Sequence, residues 1–275
     1  MRVMDKYAVI GNPIAHSKSP IIHAQFAQQT GQALSYVALY SEVPDFEAAV
    51  RRFRDQGGSG LNVTVPFKHR AYALADVRTD RAERGRSVNT LTFGSSGIIG
   101  DNTDGAGLVR DLTHNLRCEL HGQRILLMGA GGAAYGVCGP LLEQQPALLI
   151  VVNRSVEKAQ SLCEHFNPGA TSAVLRGCGY GDLSENVFDL VINATSAGLS
   201  DTMPPLPTGL FAQGAVAYEM VYGKDTPFLE FAVREGARPA DGLGMLVEQA
   251  AESFYVWRQV RPQTTPVIAH LRGMT

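Results

Sequence analysis

Arg124-Ile125-Leu126-Leu127-Met128-Gly129-Ala130-Gly131-Gly132-Ala133-Ala134 is the stretch whose reading decides the fold. Its four consecutive apolar residues, Ile125 to Met128, have the pattern of a short strand buried on both faces. The strand ends in G-x-G-x-x-A. Glycine permits the tight turn and lets the backbone approach a pyrophosphate. The small Ala134 allows close helix-on-strand packing, and the free N–H groups of the next helix face the anion. A glycine-rich turn alone carries little weight. Here an apolar helix, Val137 to Leu142, follows it, and a second apolar strand, Leu148 to Val152, completes a β-α-β unit. The reading is a Rossmann-type dinucleotide-binding unit in which Gly129, Ala130, Gly131, Gly132 and Ala133 cradle phosphate.

The residues after the second strand bear on which dinucleotide. An NAD site places Asp or Glu about 20 residues beyond the glycines, where the carboxylate holds the ribose 2′-hydroxyl. This chain has Asn153-Arg154-Ser155 there, with Lys158 one turn on. A guanidinium fork, an ammonium and two short polar side chains suit a 2′-phosphate, so NADP is expected. Ser155 is also placed to cap the following helix.

Composition sets the frame around this unit. The chain has 275 residues, 45% of them hydrophobic, and a formal net charge of -2. It has the length of one or two globular domains with a sizeable core, and its near-balanced charge without a polybasic run argues against a nucleic-acid partner. The N-terminus enters a strand directly, and no apolar stretch is long enough to span a bilayer, so a cytoplasmic protein without membrane contact is expected. Cys118, Cys138, Cys163 and Cys178 are scattered without metal-ligand spacing and read as reduced thiols; no metal is expected.

Toward the N-terminus, strands and helices alternate again. Tyr7 to Ile10 is a strand that breaks at Gly11-Asn12-Pro13, and His16-Ser17-Lys18-Ser19-Pro20 is a polar loop before a helix. Ser17 and Ser19 have the chemistry to bind a carboxylate or polyol, while Ser19 before Pro20 equally reads as a helix N-cap. Leu34 to Tyr40 is a second strand, a helix runs to Gln56, and Gly57 to Gly60 reads as a turn. Leu61-Asn62-Val63-Thr64-Val65-Pro66-Phe67-Lys68 reads as a strand with polar groups on one side and Lys68 at its C-terminal end, where α/β sheets bind ligands. After Val88-Asn89-Thr90 and a hairpin at Gly94 to Gly97 comes Asp101-Asn102-Thr103-Asp104. One aspartate is placed to cap the next helix, and Asp104 to meet Lys68 as an acid/base pair.

Taken together, these segments resemble shikimate dehydrogenase. The resemblance covers nearly the whole chain: Gly11 to Pro20, Asn62 to Lys68, Val88-Asn89-Thr90, Gly100 to Gly105, the glycine turn, Asn153-Arg154-Ser155, Ile192-Asn193-Ala194-Thr195-Ser196 and Asp241 to Ala250. It implies NADP-dependent reversible reduction of 3-dehydroshikimate to shikimate in aromatic amino-acid biosynthesis. Lys68 and Asp104 would form the catalytic pair. Ser17, Ser19, Thr64, Asn89, Asp104, Tyr222 and Gln249 would contact the substrate. Met220, Gly242 and Asp80 would join the glycine turn, Asn153, Arg154, Ser155 and Lys158 in holding cofactor.

Two departures stand out. The family commonly has Gly-Ala before Val-Asn-Thr, whereas this chain has Arg86-Ser87, a side chain that reads as a solvated loop charge. Between 167 and 186 the Gly-Cys-Gly-Tyr-Gly run reads as a surface variation without a functional account. The expected architecture is a two-domain α/β enzyme. An N-terminal α/β substrate domain, 1–106 completed by helices in 240–275, is joined to a Rossmann-type NADP-binding domain, 107–239, as a monomer or homodimer acting on a small molecule. The alternatives are an NAD-linked quinate/shikimate dehydrogenase and a non-catalytic NADP-binding regulator.

Overall fold

The computed structural model describes residues 4–167, 174–184, 186–195 and 202–274. The chain divides into two compact units, Met1–Leu108 with Leu246–Thr275, and Val109–Met245.

In chain order the first unit contains β1 (Asp5–Gly11), α1 (Ser19–Thr30), β2 (Leu34–Tyr40), α2 (Phe46–Asp55), β3 (Gly58–Val63) and α3 (Lys68–Leu74). It continues with β4 (Val77–Arg78), α4 (Asp80–Gly85), β5 (Thr90–Gly94), β6 (Gly97–Asp101) and the start of α5 (Asp104–Arg110). The second unit has β7 (Arg124–Met128), α6 (Gly132–Glu143), β8 (Leu148–Val152), α7 (Val156–Phe166), β9 (Leu175–Cys178), β10 (Phe188–Asn193), β11 (Phe211–Glu219), α8 (Pro227–Arg234) and β12 (Arg238–Asp241). The chain returns to the first unit within α9 (Leu243–Arg258) and ends in α10 (Thr265–Arg272).

The first sheet has the order β2-β1-β3-β5-β6-β4. Its β1, β2 and β3 run parallel, while β3, β5 and β6 pair antiparallel through the hairpin. The loops after β1 and β3 therefore lie side by side. A Cβ on Gly11 would stand 2.5 Å from the Thr64 methyl, which is why the turn after β1 needs glycine. Ile10, Val50, Leu61, Phe67, Val88 and Leu91 belong to its apolar core.

The sequence reading of β3 needs two corrections. Gly58 to Gly60 belong to the strand rather than to a turn, because Phe53 and Trp257 press on them: a Cβ would meet these rings at 2.4 Å and 2.6 Å. The strand then stops at Val63 rather than running to Lys68. Pro66 has no N–H for the ladder, and Phe67 N–H closes a turn on the Thr64 carbonyl at 3.0 Å, so Lys68 opens α3.

The second sheet is wholly parallel in the order β12-β11-β10-β7-β8-β9, a doubly wound arrangement with its reversal between β7 and β10. β11 begins at Phe211 and ends at Glu219. The Gly-Cys-Gly-Tyr-Gly run is no surface variation: Gly177 and Cys178 end β9. A Cβ on Gly177 would lie 2.6 Å from Ala159 backbone, so glycine lets α7 pack on the strand. Among the described residues no helix is long and apolar enough to cross a membrane.

Candidate active site

Lys68 and Asp104 begin α3 and α5 of the first unit, and their side chains meet: Lys68 Nζ donates to Asp104 Oδ2 at 2.7 Å. The lysine side chain is 25% exposed and the aspartate 9%, so the ammonium keeps donors for a ligand while the carboxylate is mostly withdrawn from water. The second oxygen of Asp104 accepts from Asn89 Nδ2 at 2.8 Å, which holds the carboxylate from the other side.

Asn89 is the centre of this arrangement. Its Oδ1 accepts from Thr103 N–H and from the Thr90 hydroxyl, both at 2.9 Å, and this sets the amide so that Nδ2 points at Asp104. The same Nδ2 reaches Gln249 Oε1 at 3.3 Å. Gln249 is half-buried, with Nε2 donating to the Leu246 carbonyl at 2.8 Å. Close packing of α5 on α9 makes this contact possible, since a Cβ on Gly107 would sit 2.6 Å from that of Gln249.

Ser253, which the sequence reading missed, carries the network deeper. Its hydroxyl lies 2.9 Å from Asn62 Nδ2, 2.8 Å from Thr90 Oγ1 and 3.1 Å from Thr103 Oγ1. Asn62 Oδ1 in turn accepts from the Tyr36 hydroxyl at 2.7 Å. The polar side of β3 at Asn62 therefore faces α9 and is buried, not directed at a ligand crevice. Only a signal spanning almost 200 positions could have found Ser253, an unremarkable polar residue in an apolar helix.

The other candidates of this unit lie on the adjoining strand ends. Thr64 N–H bonds to the Ile10 carbonyl at 3.0 Å, tying the loop before Lys68 to the end of β1. Ser19 is the first residue of α1 and 6% exposed, with Lys18 in the N-cap position and no side-chain capping bond; Ser17 Oγ accepts from Ser19 N–H at 3.3 Å. Asp101 caps no helix. Arg81 grips it with Nε and Nη2, each at 2.6 Å, and Thr79 adds a third bond at 2.6 Å. Burial pushes the Asp101 carboxyl upward, but the Arg81 guanidinium overrides it and holds the group below the usual carboxylate range. Asn102 Oδ1 instead accepts from Asp104 N–H at 3.0 Å.

Arg86 is exposed and takes a left-handed conformation with φ 44°, which glycine would adopt without strain. Ser87 is fully buried and accepts from Asn102 Nδ2 at 2.7 Å. Asp80 opens α4 as an exposed residue and is not among the residues that line the pocket of the second unit.

That pocket has a volume of about 580 Å³ and lies at the C-terminal ends of the central strands. Gly129 to Ala133 form one wall, Asn153, Arg154, Ser155 and Lys158 a second, and Ala194 with Thr195 a third. Gly129 has φ +103°, and a Cβ there would crowd the Ala194 carbonyl at 3.1 Å; nothing lies within 4 Å of a Cβ on Gly131. The glycines thus leave open backbone before α6, a cradle suited to an anion. Ser155 occupies the N-cap position of α7, but its hydroxyl donates to Glu157 at 2.8 Å instead of accepting a capping bond.

Tyr180, Thr202, Met203, Pro204 and Pro205 also line the pocket; of these only Tyr180 fell in a stretch noted from the sequence, the run read as a surface variation. Met220 and Gly242 follow β11 and β12 and are not among the lining residues. A Cβ on Gly242 would lie 2.2 Å from the Met220 carbonyl oxygen, so these two residues pack on each other. Tyr222 follows β11 in the same unit, its phenol pushed above the ordinary range by burial. Ser196, last of the Ile192–Ser196 motif, lies outside the described residues.

The wall at Ala194 and Thr195 is held from below. Asn193 Oδ1 accepts from Thr195 N–H at 3.1 Å and from its hydroxyl at 2.7 Å, and Asn193 Nδ2 donates to buried Glu219 at 2.7 Å. Burial raises the Glu219 carboxyl above its ordinary value, and bonds from Val221 N–H, Asn193 and Thr226 pull against that shift.

Comparison with known proteins agrees across the chain. The family model described as shikimate dehydrogenase substrate binding domain matches residues 9–91, that of shikimate / quinate 5-dehydrogenase matches 111–200, and that of the shikimate 5′-dehydrogenase C-terminal domain matches 242–272. The NADP(+) shikimate dehydrogenase of Aromatoleum aromaticum is 58% identical over 271 residues, covering 98% of this chain and 97% of that protein. Its counterpart in Methylobacillus flagellatus is 56% identical over 271 residues, covering 98% of this chain and all of that protein, 100%. The crystal structure of shikimate 5-dehydrogenase from Thermus thermophilus in complex with NADP(H) and shikimate aligns with a TM-score of 0.87 at 31% identity, covering 99% of this chain and 100% of that one. With both units and nearly the full length accounted for, the chain belongs to the shikimate dehydrogenase family.

Proposed function

We propose that this chain catalyses the reversible NADP-dependent reduction of 3-dehydroshikimate to shikimate, with the first unit holding the substrate and the second the cofactor. The observation that carries the reading is the 2.7 Å pair of Lys68 and Asp104 beside Asn89 and Gln249. The residues of the second unit fit NADP: a glycine cradle opens before α6, and Arg154 and Lys158 line the pocket without an acidic ion-pair partner among the described residues.

When bound, NADPH supplies the hydride that the substrate C3 carbonyl carbon accepts. Lys68 Nζ donates the proton that the carbonyl oxygen needs as charge develops on it, and in the oxidising direction it receives the hydroxyl proton back. Asp104 orients the ammonium and offsets its charge, while Asn89 keeps Asp104 from turning away. Ser17, Ser19, Thr64, Asn89, Tyr222 and Gln249 supply hydrogen bonds to the substrate carboxylate and hydroxyls. Arg154, Lys158, Asn153 and Ser155 hold the 2′-phosphate. The four free thiols and the need for reduced cofactor support action in the cytoplasm.

The test is a matrix of initial rates, shikimate and quinate against NADP and NAD. Shikimate with NADP should have the largest specificity constant. A preference for quinate or NAD would favour the NAD-linked alternative, and absence of turnover with every pair would leave a binding protein.

A further inference from the structure

We propose that Tyr180 is the platform on which the adenine base of the nucleotide stacks, and so a determinant of affinity for any adenine dinucleotide. This deepens the NADP reading of the pocket and rests on it. In the sheet order β7-β8-β9, the glycine turn follows β7, Asn153 and Arg154 follow β8, and Tyr180 follows β9 by two residues. A dinucleotide whose pyrophosphate lies on the first tip and whose ribose phosphate lies on the second runs outward along the sheet. The group beyond the ribose is the base, and the third tip offers an aromatic ring.

Three further observations support the ring as a built surface. Tyr180 is half-buried and packs against the apolar core of its unit, so the side chain is anchored while it lines the pocket. Its backbone position is set by a tight turn: Gly179 N–H donates to Asp182 Oδ2 at 2.9 Å, and Asp182 N–H to the Gly179 carbonyl at 3.2 Å. Tyr180 also stands near Arg154: burial raises its phenol above the ordinary range, and the Arg154 charge draws it back. The phosphate-side cation and the ring therefore border one space. A planar apolar surface there matches a planar base and adds nothing to discrimination by the 2′-phosphate.

Binding should be measured for NADP+, NAD+, adenosine 2′,5′-bisphosphate and nicotinamide mononucleotide on wild type, Tyr180→Ala, Tyr180→Leu and Tyr180→Phe. Loss of a stacking ring weakens a base contact by about ten- to a hundred-fold. Tyr180→Ala and Tyr180→Leu should weaken the three adenine ligands by one common factor in that range and leave nicotinamide mononucleotide unchanged, while Tyr180→Phe stays close to wild type. Leucine fills the space on the core without a π face, so it decides the matter if the alanine variant does not fold. Wild-type affinity for the bisphosphate in the leucine variant overturns the proposal, as does a phenylalanine variant as weak as alanine, which would make the hydroxyl the contact. Failure of the NADP reading has a different signature: wild type would then bind NAD+ and NADP+ equally, with the Tyr180 effect on both intact.

Discussion

Buried His23 makes the stability of the first unit depend on pH. The imidazole is fully buried between aromatic rings, stacked on Tyr36 at 4.0 Å and 5°, and neither ring nitrogen has a hydrogen-bond partner among the described residues. Burial pushes its pKa down to about 3, with the nearby Asn62 amide opposing weakly from outside hydrogen-bond geometry. The folded chain therefore keeps His23 neutral while the unfolded chain protonates it near the ordinary pKa of about 6.5. Below about pH 6.5 the unfolded state binds one more proton, so stability is full above that value and falls with acid until the folded pKa is reached. Each unit costs about 1.4 kcal/mol, which makes the loss between pH 7 and pH 5 about 2 kcal/mol. Urea unfolding of wild type and His23→Leu at both pH values measures it. The variant loses stacking at each pH, so the readout is the change between them, which should be about 2 kcal/mol smaller in the variant. Equal pH dependence in the two proteins would show that His23 is hydrated or charged in the fold and refute the reasoning.

Four further outcomes are expected. Lys68→Ala should lower kcat by about 10²- to 10⁴-fold with a smaller change in KM, and a variant retaining a tenth or so of wild-type turnover would remove Lys68 from the proton transfer. Arg154→Ala should weaken NADP by about ten- to a hundred-fold in specificity constant and leave NAD nearly unchanged; equal weakening of both would reduce Arg154 to part of a helix start. Arg86→Gly should raise stability by up to about 1 kcal/mol in denaturant melts, because relief of left-handed strain exceeds the added chain entropy, and should leave the shikimate KM within a few-fold; a large rise in KM would place the guanidinium on the substrate. Gly244→Ala should destabilise by about 2 kcal/mol despite alanine's helix propensity, since its Cβ would fall 1.9 Å from Asp111 Oδ1, a carboxylate fixed by Tyr218 and Asn115; unchanged stability would mean that α9 shifts freely there.

The sequence by itself determined the parts of this protein whose physics is local. A run such as Ile125 to Met128 has the pattern of a strand buried on both faces, and the glycines after it suit a turn and a close approach, so the second sheet and its glycine turn were legible from one stretch. Arg154 and Lys158 were legible because a cation replaces the expected carboxylate at a set distance. Lys68 and Asp104 stood out as chemistry, yet only folding brings their side chains to 2.7 Å, because the contact depends on how α3 and α5 start beside one another. Alternation misled at β3: Asn62 reads as a ligand-facing group until α9, nearly two hundred residues away, covers it with Ser253. The glycines at 58, 60 and 177 look like turn residues, and the difference lies in the ring or helix pressed on each. Tyr180 lay in a run that looked unusual, but nothing local tied it to a ligand. Its place in the pocket follows from the order of β7, β8 and β9 in the sheet, and strand order is decided by packing of the whole unit.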